Sequence, residues 1–583
     1  MKPSIDLVFL WHMHQPDYRD HCEASGENTF ALPWVYLHGI KDYTDMAAHL
    51  ERHPQIRAVV NFVPVLLEQI EDYTAQFDAG IFRDPLLRLL AAPDLDQIDK
   101  ADRDLLLQAC FRSNHTTMLA PFPKYQRLHD LHRDLVRDGA TALTYLSGAY
   151  LADLLTWYHL AWAGESERRS QHLLAELMSK GEGYTLADRQ ALLAWIGATL
   201  RQIIPRYRAL AERGQIELSC TPQTHPLAPL LLDFSVVRES VPDAPLPLNL
   251  TYPGGRSRVA AQIDDARASH TIRFGTPPVG MWPAEGAISK AFVEQLSEHN
   301  CHWIASGEGV LRATLHQAAI DDSLAAYKPW RLDTAPGLTL FFRDERLSDM
   351  IGFEYAKWYG QDAAQNFISE IEAIYAATPP GERAVVSIIM DGENAWEHYP
   401  YNAYYFFDGM YNLLAEHPHI HCTTYAELLQ RTDPLACANL PGLTAGSWVF
   451  GSMSTWIGDA DKNRAWDRLC AAKQSYDMVI ASNRLNKDEQ DAATAQLAIC
   501  ESSDWFWWFG GYNPPAAVAS FDALFRKNLT NLYCLLHLSP PAQLDTPICA
   551  PPQDAHTDQT SSGNGTMRRA QEHSHSSADG PPQ

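Results

Sequence analysis

Residues 385–398 read Val385-Val386-Ser387-Ile388-Ile389-Met390-Asp391-Gly392-Glu393-Asn394-Ala395-Trp396-Glu397-His398. The first six are apolar but for one serine, the pattern of a strand buried on both faces. Directly beyond it stand three carboxylates, an Asn, a Trp and a His, more hydrogen-bonding groups than a structural loop spends at one strand end. Pro400 and the aromatic residues around it postpone the next helix, so a capping role for Asp391 is disfavoured. Asp391, Glu393 and His398 also have the chemistry to ligate a metal, which is the competing reading.

Outward from this stretch the same order recurs. Apolar runs at 5–11, 57–63, 215–219, 278–282, 302–305, 338–342 and 384–390 read as strands, and several break into polar or aromatic residues before a helix-like pattern, as at 286–299 and 401–416. Strand, polar loop and helix in repetition predict a parallel α/β architecture, with the chemistry in the loops at the carboxyl ends of the strands. The spacing from about 84 to 213 is helical and too long for a connector, so it reads as a helical insertion. Past 432, helices are expected over 461–482, 487–500 and 517–538, separated by an aromatic stretch at 504–512 that reads chiefly as packing against the barrel. From 539 the chain turns Pro-rich, and 551–583 hold no Val, Ile, Leu, Phe, Trp or Tyr, so a disordered tail is expected over 539–583.

Composition narrows the partners. Of 583 residues, 46 are Lys or Arg and 71 Asp or Glu, a net charge of −25 that disfavours nucleic acid and anionic membranes and leaves neutral substrates as the better fit. The ten cysteines are scattered with no pair at zinc or redox spacing, and no uncharged run reaches membrane-spanning length. No signal peptide is expected from the N-terminal residues. A cytoplasmic protein is expected.

Four further stretches lie at strand ends. In Val279-Gly280-Met281-Trp282-Pro283-Ala284-Glu285, a carboxylate follows a strand and a Trp at the mouth of a helix, where the helix dipole favours its ionised form. Such a group suits attack at a sugar anomeric carbon; simple helix capping is the alternative. His12-Met13-His14-Gln15-Pro16 puts two histidines on one side of an extended chain, suited to zinc or to sugar hydroxyls. A segment from Glu217 to Leu227 contains His225, either a loop histidine or part of the site. Finally, Gly446-Ser447-Trp448 and Thr455-Trp456-Ile457-Gly458-Asp459 combine rings that stack on a pyranose with a carboxylate that binds its hydroxyls.

In order, these five stretches resemble the motifs of glycoside hydrolase family 57, over roughly residues 5 to 535. His14-Gln15-Pro16 is similar to the first motif, Gly214 through Pro226 to the second, Gly280 through Glu285 to the third, Asp391 through Glu397 to the fourth, and Gly446 through Trp466 to the fifth. The resemblance implies an incomplete (β/α)7 barrel over 1–431, with the helical insertion inside it. A helical domain over 432–538 would lend the fifth motif to the active site.

It further implies a retaining α-glucan hydrolase of the α-amylase type, on α-1,4 and possibly α-1,6 linkages, or a 4-α-glucanotransferase using the same intermediate. Glu285 would be the nucleophile and Asp391 the general acid/base, its pKa raised by Glu285 and Glu393. Retention calls for carboxyls about 5–5.5 Å apart, against roughly 6.5–9.5 Å for inversion. Trp282, Trp396 and Trp456 would form sugar platforms, while His12, His14, His225 and Asp459 would bind hydroxyls. The substrate would be an α-glucan or maltooligosaccharide, with no cofactor and no metal. A metal-dependent sugar hydrolase of the α-mannosidase or polysaccharide deacetylase type and a non-enzymatic glucan-binding protein are the competing readings.

Overall fold

The computed structural model describes residues 4–21, 29–432 and 436–549. Its centre is a ring of parallel strands built from the apolar runs. Strand β1 (Ile5–Met13) lies between β2 (Ala58–Phe62) and β7 (Val385–Asp391), and β2 pairs on with β3 (Ile216–Cys220). On the other side β7 meets β6 (Thr339–Arg343), which pairs with β4 (Trp303–Gly307). The ring closes through a single residue: Met281 bridges Cys220 on one side and Ile304 on the other, both in parallel sense. Counting that bridge, seven strands encircle the core. Two weak points make the barrel incomplete, for Met281 stands where a strand over 278–282 was expected and β6 meets β7 through one pair, Arg343 with Ser387. Short strands β5 (Trp330–Arg331), β8 (Ile420–Cys422) and β9 (Ala438–Asn439) extend the edges.

The expected insertion is helical, running from Pro85–Ala91 to the long helix Leu186–Glu212, whose Thr185 and Asp188 form a reciprocal cap. It shares an apolar core with one face of the barrel strands, through Leu7, Phe9 and Trp11, while the alternate residues Val8, Leu10, Val59, Phe341 and Ile389 form a second cluster. A helix over Gly255–Phe274 escapes periodicity reading because Arg, Asp and Ala dilute its apolar face to Val259, Ile263 and Ala266. The C-terminal helices are Ala460–Ala481, Lys487–Cys500, Asp504–Trp508 and Pro515–Leu535.

Disorder from 539 is corrected for residues 539–549. Leu544 and Ile548 supply the apolar area that the following residues lack, and both are buried. The Ile548 amide donates to the Asp522 carboxylate at 3.1 Å and its carbonyl accepts from Arg464 at 2.8 Å. The rest of the expected tail, 550–583, lies outside the described residues. Among the described residues no helix is long and apolar enough to cross a membrane.

Candidate active site

The carboxyl ends of the strands converge on a narrow cavity. His12 stands near the end of β1, Asp391 is the last residue of β7, Glu285 follows the Met281 bridge by four positions and His225 follows β3 by five. All four line the cavity together with His14, Gln15, Glu393, Asn394, Asp504 and Trp508. Segments 213 to 490 residues apart in sequence are thus joined directly, as in the contacts of His12 with His225 and of His14 with Asp504.

Glu285 does not begin a helix. It occupies a left-handed turn at φ 58°, ψ 22°, and the helix Lys290–Glu298 starts later, capped by Ser289. A non-glycine residue held in that region is strained, and such strain gathers where a side chain must be aimed. Trp448 does the holding: its amide donates to the Glu285 carbonyl at 3.0 Å and its Nε1–H to Glu285 Oε2 at 2.9 Å. The charge-favouring group is therefore an indole N–H rather than the expected helix dipole.

Electrostatics follow from burial. Removal from water pushes the Glu285 carboxyl well above the usual carboxylate range, the charge of Asp391 adds to this, and the Trp448 bond opposes it. Burial raises Asp391 to about 6, opposed by the hydrogen bond from Asn394 Nδ2 at 2.7 Å and aided by Asp504. Direction agrees with expectation; the leading cause is burial rather than a neighbouring carboxylate. Glu393 is raised as well, first by burial and then by Asp391. So buried a cluster holds its protons to higher pH than free carboxyls do and titrates as a unit. Trp448 can only donate, which favours charge on Glu285, whereas an amide such as Asn394 can accept from a protonated carboxyl once turned over.

The histidines form a network whose proton positions follow from the hydrogen bonds. Asn61 Nδ2 donates to Ser219 at 3.0 Å, leaving Asn61 Oδ1 to accept from His12 Nδ1 at 2.7 Å. His12 Nε2 must then accept from His225 Nε2 at 3.1 Å, and His225 Nδ1 accepts the Ser503 hydroxyl at 2.8 Å. Both rings are neutral, since burial and neighbouring imidazoles lower His12 to about 3 and His225 well below its ordinary value. His14 pairs separately, Nε2 lying 3.0 and 2.9 Å from the two Asp504 oxygens. Two buried atoms in the cavity wall have no protein partner, His14 Nδ1 and Glu393 Oε2.

For metal binding, ligand atoms of His14, His225 and Asp504 lie within 4.8 Å of one another. Their hydrogen bonds already engage both His225 nitrogens, His14 Nε2 and both Asp504 oxygens. His398, the other ligand considered from sequence, does not line the cavity and faces Asn114 and Glu397 instead.

Six sequence expectations are corrected, the first two being His12 and His225, whose ring nitrogens are spent on Asn61, Ser503 and each other rather than left for sugar hydroxyls. Trp282, Trp396 and Trp456 are fully buried and present no face to a sugar. Trp282 packs against Trp448 and His12, Trp396 against Trp11 and Phe407, and Trp456 against Trp507. Asp459 caps the helix Ala460–Ala481, accepting from the amides of Asp461 and Lys462. Missed as site residues were Trp448, which lay in a quoted motif, and Asp504, the first residue of the stretch read as packing. A carboxylate opening an otherwise aromatic run was the available signal.

The sequence profile described as Glycosyl hydrolase family 57 matches residues 8–441. A family 57 branching enzyme from Thermococcus kodakaraensis superposes with a TM-score of 0.54 at 15% identity, covering 91% of this chain and 88% of that one. A branching enzyme of the same type from Pyrococcus horikoshii gives 0.54 at 15%, covering 97% and 99%. The α-amylase AmyC from Thermotoga maritima gives 0.52 at 14%, covering 92% and 94%. No curated protein matches the chain.

Proposed function

Because the chain belongs to glycosyl hydrolase family 57, we propose that it cleaves α-glucans with retention, through a glycosyl ester on Glu285. The observation that carries this reading is the presence of Glu285 and Asp391 in the wall of one cavity, with a donor-only indole on the first. Asp391, protonated, gives its proton to the glycosidic oxygen as the C1–O bond breaks, while Glu285 Oε attacks C1. Asp391, now ionised, takes the proton of the incoming hydroxyl, which displaces Glu285 from C1. In this reading His14 Nδ1 and Glu393 Oε2, which lack a protein partner in the cavity wall, accept from or donate to sugar hydroxyls, and the His12–His225 pair forms the neutral wall beside them.

The α-glucan substrate is taken from the similar structures, two branching enzymes and an α-amylase. The incoming hydroxyl is water in hydrolysis and a sugar in transfer, as in the 4-α-glucanotransferase alternative. A reducing cytoplasmic setting suits the buried thiols of Cys110, Cys220, Cys301, Cys470 and Cys500.

Incubation with maltoheptaose tests the reading. Shorter products alone mean hydrolysis, and a ladder extending both ways means transfer. Glu285→Gln is expected to reduce either by on the order of 10⁴-fold while glucan binding persists. Full turnover in that variant would contradict the proposal.

A further inference from the structure

Exposed aromatic rings gather on one rim of the barrel. Trp358 and Tyr359 lead into the helix Gly360–Ala377, while Tyr401 and Tyr405 stand at the start of the helix Tyr404–Ala415. Both helices follow strands of the ring, β6 and β7, so their first residues lie on the face where Asp391 ends its strand. Tyr359 is 71% and Tyr401 55% exposed, and outside this group only Tyr145, at 86%, is as open among the described Phe, Trp and Tyr side chains.

The rings are held, not merely left out. Gly360 joins the two segments: a β-carbon there would lie 3.0 Å from the Phe406 amide nitrogen and 3.2 Å from the Tyr405 β-carbon. Tyr401 meets Tyr405 edge-on, with centroids 5.5 Å apart. The Arg169 guanidinium donates to the Tyr405 hydroxyl at 3.1 Å and lies 5.2 Å from its ring centre.

Most telling is the backbone, where Tyr401, Asn402 and Ala403 all take left-handed φ, 55°, 50° and 60°. Three successive non-glycine residues rarely do so. The turn is locked from below, since Asn402 accepts from Lys41 Nζ at 2.6 Å and donates to Asp45 Oδ2 at 2.9 Å, all three side chains buried. A buried polar network thus serves to keep a tyrosine ring in solvent.

We propose that Trp358, Tyr359, Tyr401 and Tyr405 form a second α-glucan-binding ridge, which holds a polymer chain beside the cavity rather than in it. The proposal rests on the family's glucan chemistry as read above. A glucan fits this surface better than other occupants do. Rings with hydroxyls stack on pyranose faces while bonding their edges. A chain of net charge −25 repels anionic partners, not a neutral polymer. The ridge also shares its face with the site, so one polymer reaches both.

Electrophoresis of the full chain through native gels containing glycogen tests this. Tyr359→Ala/Tyr401→Ala is expected to weaken retention about tenfold, while Tyr359→Phe/Tyr401→Phe, which keeps the rings, stays within about twofold of the parent. Loss in both double variants, or in neither, overturns the ridge. A fall in sedimentation mass on Ala substitution would instead make it a contact between copies, and would also overturn it. Turnover of p-nitrophenyl α-maltotrioside is read in parallel and should not move with the Ala pair. If no variant and no parent turns it over, the catalytic reading fails while gel retention still decides the ridge.

Discussion

Trp448 grips Glu285 by backbone and side chain at once, and its indole N–H is the one group there that can favour only the charged carboxylate. Trp448→Phe keeps the ring and removes the donor. A hydrogen bond to a charged group is worth about 1.5–3 kcal/mol, so kcat/KM should fall by about ten- to a hundredfold. The sign of the pH effect is fixed: without the donor the Glu285 carboxylate is less stable, its pKa rises further, and the pH profile moves to higher pH. The carboxyls titrate as a unit, so neither limb belongs to one residue, and the Asp391 proton, held to about 6, contributes to the profile of both proteins. Unmoved limbs in Trp448→Phe would show that the indole does not tune Glu285. Nothing local in the sequence marks this contact, which spans 163 residues. Asp504 likewise reaches His14 across 490, and its acidic character was visible while its destination was not.

At the scale of the element, strands were legible because burial on both faces leaves unbroken apolar runs. β7 was expected over 384–390 and forms Val385–Asp391, and β1 was expected over 5–11 and forms Ile5–Met13. The run at 278–282 shrinks to the Met281 bridge, and Gly280 shows why the chain there is crowded. A β-carbon on it would stand 2.2 Å from the Trp303 ring, which Glu217 fixes through a 2.7 Å bond to the indole nitrogen. Gly280→Ala is therefore expected to destabilise the fold by about 1–3 kcal/mol. It should also lower activity by shifting the segment that carries Glu285, both read by denaturant unfolding beside kinetics. An unchanged midpoint would mean that the barrel closes more loosely than described. The tryptophans of the motifs misled for a related reason: ring-rich sequence looks the same whether the rings meet sugar or each other. Only the packing of Trp282, Trp396 and Trp456 against other aromatic side chains distinguishes the two.

Across the whole molecule, the barrel supplies the two carboxyls while the C-terminal part supplies Asp504 and Trp508 to the same wall and Ser503 as the partner of His225. Neither part encloses the cavity alone. Hydrogen bonds engage both nitrogens of His12 and of His225, both Asp504 oxygens and His14 Nε2, leaving only His14 Nδ1 of these ligand atoms without a protein partner, so exhaustive chelation should leave turnover within about twofold. Activity lost to chelator and restored by a divalent ion would favour the metal-dependent reading. The covalent step itself is open to direct observation. Reaction with a 5-fluoro-α-glucosyl fluoride, whose ester is slow to turn over, followed by peptide mass spectrometry should find one added glycosyl group on Glu285; no adduct, or an adduct on Glu393 or Asp504, would contradict the account.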